Sequence, residues 1–283
     1  MISSRQSSQT LTRFKTVRLT KPLLIAIVIL VSGSIANSQV NVLDSDPIAA
    51  RKRLVYSQLG GYVGIGFNGQ GGTFTTACNC EFNGGAGTGL AAGLMFERLT
   101  RSEFTWGIAA GYENRSINSR FREVEGVVQT SPGGKEYTVP LTFLNEANLN
   151  LSLFTATPYV KYEFLNFFYA RLGVSLGYVF SSGLSHVKTL ESSTVTFPNG
   201  ETGSVNIPGS NDGSVLLEDG PVKDLRAFQL GLMFGVGKDI RLSKKVFLSP
   251  IIQYLLPITT IGANSTSFTV RSLQISVEVR HIL

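Results

Sequence analysis

The stretch FYARLGVSLGYVF, Phe168–Phe180, decides the fold. Phe168, Ala170, Leu172, Val174, Leu176, Tyr178 and Phe180 alternate with Tyr169, Arg171, Gly173, Ser175 and Gly177. A period of two places the sets on opposite faces of a β-strand, one apolar and one made of small residues with a single charge.

The same alternation recurs along the chain. Leu59, Val63, Ile65 and Phe67 stand against Gly60, Tyr62, Gly64, Gly66 and Asn68, and Leu90, Ala92, Leu94 and Phe96 stand against Gly89, Ala91, Gly93, Met95 and Glu97. Phe104, Trp106, Ile108, Ala110 and Tyr112 oppose a face ending in Glu113. Phe154, Ala156, Val160, Tyr162 and Phe164 oppose Thr155, Thr157, Tyr159, Lys161 and Glu163. Phe228, Leu230, Leu232, Phe234 and Val236 oppose a face running to Asp239, and Leu273, Ile275, Val277 and Val279 oppose Gln274, Ser276, Glu278 and Arg280. A further strand, from Val246 to Leu256, is apolar on both faces, so its phase stays open. That makes eight strands.

Connections alternate in length as well. Short turns at Thr100 to Glu103, around Asn166 and at Arg241 to Lys245 alternate with longer stretches near 69 to 86, 118 to 148, 182 to 223 and 257 to 267. Short turns at one end and long loops at the other predict an up-and-down antiparallel sheet, and eight strands suffice to close it without edges.

Which face points outward follows from volume. The apolar faces together carry roughly forty sizeable side chains, whereas a closed eight-strand interior holds about twelve. The apolar face therefore meets lipid, and a soluble lipocalin-like barrel is set aside. Phe67, Phe96, Phe104, Trp106, Phe164, Phe168, Phe180 and Tyr254 lie near strand ends, where outer-membrane barrels carry interfacial aromatics. Strands of about ten residues match the span. The expected fold is an all-β, eight-stranded antiparallel up-and-down transmembrane barrel over residues 57–283.

Composition agrees. With 283 residues, 43% hydrophobic and only 16% charged, the chain is not of disordered type, and its 30 Gly suit close-packed strands. The net charge of +6 is no nucleic-acid footprint. Arg5, Arg13, Lys15, Arg18 and Lys21 lie in residues 1–38, which hold no acid, and without them 20 basic residues face 19 acidic ones. Those first residues read as a secretory signal: a basic region, the apolar run Leu23 to Val31, then small residues before Gln39. Residues 39–56 are expected to form a short periplasmic segment. No Cys follows the apolar run to carry a lipid anchor.

Thr157-Pro158-Tyr159-Val160-Lys161-Tyr162-Glu163-Phe164, Phe168-Tyr169-Ala170-Arg171-Leu172-Gly173-Val174-Ser175 and Leu248-Ser249-Pro250-Ile251-Ile252-Gln253-Tyr254-Leu255-Leu256-Pro257 resemble strands of Bacteroidota-type outer-membrane β-barrel proteins, the PorT-like and OmpA-type transmembrane domains. The resemblance implies insertion into the bacterial outer membrane by the barrel-assembly machinery, with outer-membrane lipid as the surrounding partner. The sequence departs at its end, where Arg280-His281-Ile282-Leu283 replaces the usual terminal aromatic.

The remaining motifs are weighed by their chemistry. Gly64-Ile65-Gly66-Phe67-Asn68-Gly69 has dinucleotide-fingerprint spacing, but no helix follows to hold a pyrophosphate, and no cofactor is expected. Cys78 and Cys80 in the first long loop can form a disulfide, a redox pair or part of a metal site. Without a second Cys pair or a nearby His they cannot make a four-ligand zinc cluster, so either a simple loop disulfide or a pair of free thiols is expected, and no metal. Of the two histidines, His186 is the one candidate for catalysis, and as a lone loop histidine it is expected to be solvated; no catalytic residue and no enzyme activity are assigned. Glu97, Glu113, Lys161, Glu163, Arg171, Asp239, Glu278 and Arg280 are expected to form lumen ion pairs, with Arg171 and Glu163 paired across their turn. The expected role is non-enzymatic: structure, or interaction with a protein or surface through long extracellular loops. Alternatives are an accessory of a secretion or assembly machine, contacting it through Asp46 to Gln58, and a barrel hydrolase or small pore of the porin kind.

Overall fold

A computed structural model describes residues 55–283 except 77, 79, 101–102, 166, 206–209, 211–212 and 263–267. The signal at 1–38, and all but the last two residues of the segment 39–56, lie outside the described residues.

Eight long strands follow one another: β1 (Ser57–Gly71), β2 (Gly85–Leu99), β3 (Phe104–Thr130), β4 (Glu136–Leu165), β5 (Phe168–Leu190), β6 (Phe228–Lys238), β7 (Val246–Pro257) and β8 (Thr269–Ile282). Each pairs antiparallel with the next. β8 pairs back onto β1, with Ile65 opposite Ile275 and Gly60 opposite Arg280, so the ring closes. This is the expected eight-stranded up-and-down barrel.

The faces are inverted relative to a soluble protein. Leu94 is 68% exposed and Phe228 75%, whereas Glu97 is 0% and Arg280 1% exposed. Only a lipid surround makes that arrangement favourable, since apolar side chains then lose no water-excluding burial and the charges are taken up inside. Aromatics on the outer face gather in two belts. Near the short turns Phe96 meets Trp106 and Phe104 meets Tyr162; near the long loops Phe154 stacks on Phe180 and Tyr178 meets Phe228. From Phe154 to Tyr162 along β4 is ~27 Å at ~3.4 Å per residue, or ~21 Å once tilted by ~40°, close to the apolar band of an outer-membrane barrel.

Inside, rings lie against glycines. A Cβ on Gly107 would stand 2.7 Å from the Tyr159 ring, and one on Gly93 would stand 2.8 Å from the Tyr62 ring. The small residues read from the alternation thus leave slots for inward tyrosines.

Two expectations are corrected and one open question is settled. The stretch 118–148 is not a loop: β3 continues to Thr130 and β4 starts at Glu136, leaving only Ser131–Lys135 as the turn. The physical reason is a swap of faces at Leu153 and Phe154. Beyond it Val139, Leu141, Phe143, Ala147, Leu149, Leu151 and Leu153 are buried on the inner face, while the outer face becomes polar with Asn148, Asn150 and Ser152. Secondly, the stretch 182–223 carries β5 on to Leu190, a small hairpin at Thr194–Thr196 and Thr202–Ser204, and a strand at Ser214–Gly220 that pairs with β5. Finally, the undecided phase of β7 is settled, because Ser249, Ile251 and Gln253 face Glu278, Ser276 and Gln274 of β8 on the lumen side.

Candidate functional site

The short-turn end of the lumen holds a compact charge network. Glu97, near the end of β2, accepts hydrogen bonds from Tyr159 Oη at 2.9 Å and Lys161 Nζ at 3.0 Å, meets Arg171 Nη2 at 3.4 Å, and is bound by Arg280 Nη1. Arg171 forks onto Glu278, Nη1 to Oε1 at 2.5 Å and Nη2 to Oε2 at 2.8 Å. Asp239 accepts from Lys161 at 3.3 Å and from Ser249 Oγ at 2.8 Å, and it also binds Arg280. Lys161 sits 4.6 Å from the centre of the Tyr169 ring, and the Arg171 guanidinium sits 4.1 Å from that of Tyr159. Three carboxylates face three cations, so the cluster is neutral, and each charge is both paired and hydrogen-bonded as burial demands.

Six of the eight proposed lumen charges therefore come together. The expected partner of Arg171 is corrected: its carboxylates are Glu278 and Glu97 from other strands, rather than Glu163 of its own hairpin, which stands opposite Tyr169. Glu113 forms a separate pair higher in the lumen with Arg115, whose Nη2 lies 2.5 Å from Glu113 Oε2. The sequence does not assign Arg115 and Ser249 to the lumen, and it places Tyr159 and Tyr169 on the lumen face without a part in the charge network. Between the two groups a cavity of about 30 Å³, lined by Tyr62, Glu113, Arg171, Met233 and Gln253 among others, has room for one or two waters.

At the long-loop end the lumen is closed by apolar packing. The first loop folds back into the mouth, and its Phe74 and Phe82 stack at 5.1 Å over Ile117, Leu149, Leu151, Leu153 and Leu184. Gln70 Nε2 donates to Phe82 O at 2.7 Å, and Ser119 Oγ donates to Gln70 Oε1 at 2.6 Å, which holds the loop down.

The same loop carries Cys78 and Cys80, joined as a disulfide. His186 is not the solvated loop residue of the sequence reading; it is on β5 and 0% exposed. A register shift near Ser152 and Leu153 of β4 brings this about. Val179 pairs with Leu153 before the shift and Ser181 with Ser152 after it, so the odd residues of β5 face inward up to Val179 and the even ones beyond. The imidazole Nε2 lies 3.1 Å from Asn145 Oδ1, Nδ1 lies 2.9 Å from Thr76 Oγ1 and 3.8 Å from Cys78 Sγ, and the Phe82 ring meets it edge-on at 5.2 Å. Burial holds the imidazole below its ordinary pKa; Glu218 opposes this and Lys188 adds to it. The sequence reading found no histidine near the cysteines, yet barrel closure delivers one from 108 residues away.

Closed ring, apolar belt and charged interior define a class: this is a transmembrane β-barrel of the outer-membrane kind. No protein-family model matches the chain, and no curated protein does. Among solved structures, the chain is similar to Ail, the attachment invasion locus protein of Yersinia pestis, in complex with the heparin analogue sucrose octasulfate (9% identity, TM-score 0.32, 80% of this chain and 99% of that one). It is similar too to Neisserial surface protein A (12%, TM-score 0.31, 79% and 96%) and to the outer membrane protease OmpT from Escherichia coli (10%, TM-score 0.28, 82% and 99%).

Proposed function

We propose that the protein is a non-conducting, non-enzymatic outer-membrane barrel that presents a protruding sheet to a protein or surface outside the cell. The observation that carries this reading is the continuation of β3, β4 and β5 beyond the lipid belt. From Glu136 to Leu153, β4 runs ~60 Å further along its strand. Together with Ser214–Gly220 these strands make a four-stranded sheet with two open edges among the described residues. β2 last pairs with β3 at Ser119, so Arg120–Thr130 pairs with β4 alone, and Val124 and Val128 are exposed there. Exposed strand edges are templates for a partner strand. Among the described residues, the neutral network and the apolar packing at the mouth support the non-conducting part of the reading.

With the N-terminus delivered from the periplasm, an even strand count returns the C-terminus to that side, so the long-loop end faces outward. Protease added to intact cells should cut within Val195 to Gly213, and deleting that stretch should leave the barrel folded. Val124→Lys with Val128→Lys should abolish surface crosslinks to an external partner without changing the barrel's heat-modifiable gel mobility. Cleavage only after the outer membrane is opened would invert the orientation and end the reading. The accessory role implied by the PorT-like resemblance rests on Asp46 to Gln58, most of which lies outside the described residues, and no described contact favours it.

A further inference from the structure

Beyond the interaction surface, the mouth of the barrel assembles a donor set that a lumen plug does not require. Cys78 Sγ, Cys80 Sγ and His186 Nδ1 all lie within 4.8 Å of one another. A tetrahedral zinc with Zn–S ~2.3 Å and Zn–N ~2.0 Å sets its ligand atoms ~3.8 Å apart for two sulfurs and ~3.5 Å apart for sulfur and nitrogen. The 3.8 Å between Cys78 Sγ and His186 Nδ1 is already close to that spacing.

A second observation points the same way. Asn145 Oδ1 can only accept, so His186 Nε2 donates to it at 3.1 Å and the lone pair lies on Nδ1, where it accepts from Thr76 Oγ1 at 2.9 Å with Cys78 Sγ at 3.8 Å; a cation would displace that hydroxyl. A side chain that fixes the tautomer from behind is the usual support of a metal-ligating histidine. Asn145 and His186 are both fully buried, so the ring cannot turn away, whereas Cys78 is exposed and reachable from outside. Thr76 also lines a cavity of about 190 Å³, wide enough to admit a hydrated cation, whose wall carries Asp224 beside the Lys223–Glu218 ion pair.

From this geometry we infer that Cys78, Cys80 and His186 form a redox-gated site for a thiophilic cation, Cu(I) or Zn(II), at the long-loop mouth. The disulfide is the closed state. A dithiol reductant transfers two electrons and two protons to the Cys78–Cys80 bond and itself becomes a disulfide. The cation then displaces the two thiol protons and takes two thiolates and Nδ1. A fourth position stays turned towards Thr76 and solvent.

The test uses the full chain in detergent micelles, reduced with a trialkylphosphine and desalted under inert gas. Zn(II) and Cu(I) are titrated separately against a chromophoric chelator. Reduced protein should take up one cation per chain, of at least one of the two metals, while oxidised protein and Cys78→Ser should take up none. Asn145→Ala, which keeps all three ligands, should weaken uptake about 10- to 100-fold. X-ray absorption on the loaded wild type should show one imidazole nitrogen beside two sulfurs, which can come only from His186 here because His281, the other histidine, pairs with Leu59 at the short-turn end. Uptake of neither metal, or a sulfur-only shell, would overturn the assignment. Unchanged affinity in a folded His186→Gln variant would do the same.

Discussion

Replacing Glu97 by Gln isolates one charge while keeping the shape of the side chain. Glu97 is the hub of the lumen network, bound by Lys161, Arg171 and Arg280, whose side chains are 6%, 2% and 1% exposed. Without its charge, three cations face only Asp239 and Glu278, and the nearby cavity of about 30 Å³ is too small to solvate the excess. Breaking a buried pair while its partner stays costs about 3–5 kcal/mol. With a guanidinium m-value on the order of 4 kcal/mol per molar, the unfolding midpoint should fall by about 1 M. Unfolding in phospholipid vesicles can be followed by Trp106, the chain's one tryptophan, and by heat-modifiable mobility. Adding Lys161→Met restores neutrality, two cations against two carboxylates, and should recover much of the loss as a non-additive coupling. A midpoint within about 0.2 M of wild type, or a double variant as unstable as the sum of the two singles, would mean that water or ions neutralise the site and that the network does not hold the barrel.

Other consequences are as direct. Gly107→Val should push the Tyr159 ring off Glu97 and cost about 1–3 kcal/mol as overpacking, read as a lower midpoint in the same unfolding assay. Phe82→Ala should loosen the mouth by about 3–5 kcal/mol, yet planar-bilayer recordings should stay at baseline, because the network still closes the short-turn end. Glu201, held below the usual carboxylate range by Asn199 and then by the Gly133 N–H at 3.2 Å, ties the 194–204 hairpin to the β3–β4 turn. Because its folded pKa is depressed, that tie is fully present above about pH 4.5 and weakens as pH falls through the folded value. Protection of the hairpin amides, taken relative to their intrinsic exchange rate at each pH, should fall only at acid pH.

What could be read from the sequence was whatever depends on one strand at a time. The alternation in Phe168–Phe180 carries its own two faces, and the residues that alternate there point outward and inward as read. Continuation of β4 was missed although Leu149, Leu151 and Leu153 also alternate, because they do so with the apolar face turned inward. A search for one constant apolar face stops at Phe154, where lipid stops. The turn of His186 into the mouth needs the register shift beside Leu153, which no local composition announces. Ion-pair partners were legible as a set and illegible as pairs. Arg171 stands across from Lys161 in the β4–β5 register, and its carboxylates come from β2 and β8, neither of which borders β5.

The two ends of the lumen are separate devices, and the layer between them says why. Above the charged network lie Met95, Tyr159 and Met233, then the Glu113–Arg115 pair, and only then the aromatic and leucine packing of the mouth. Charges at the short-turn end are neutral as a group and buried, so they exert little field at the mouth. The mouth is held by apolar contact and by Gln70 and Ser119, which touch none of the network's side chains. Effects at sites so placed, with no shared partner, add. If the proposed cation site operates, redox chemistry at Cys78 and Cys80 would therefore leave the charged network at the short-turn end intact.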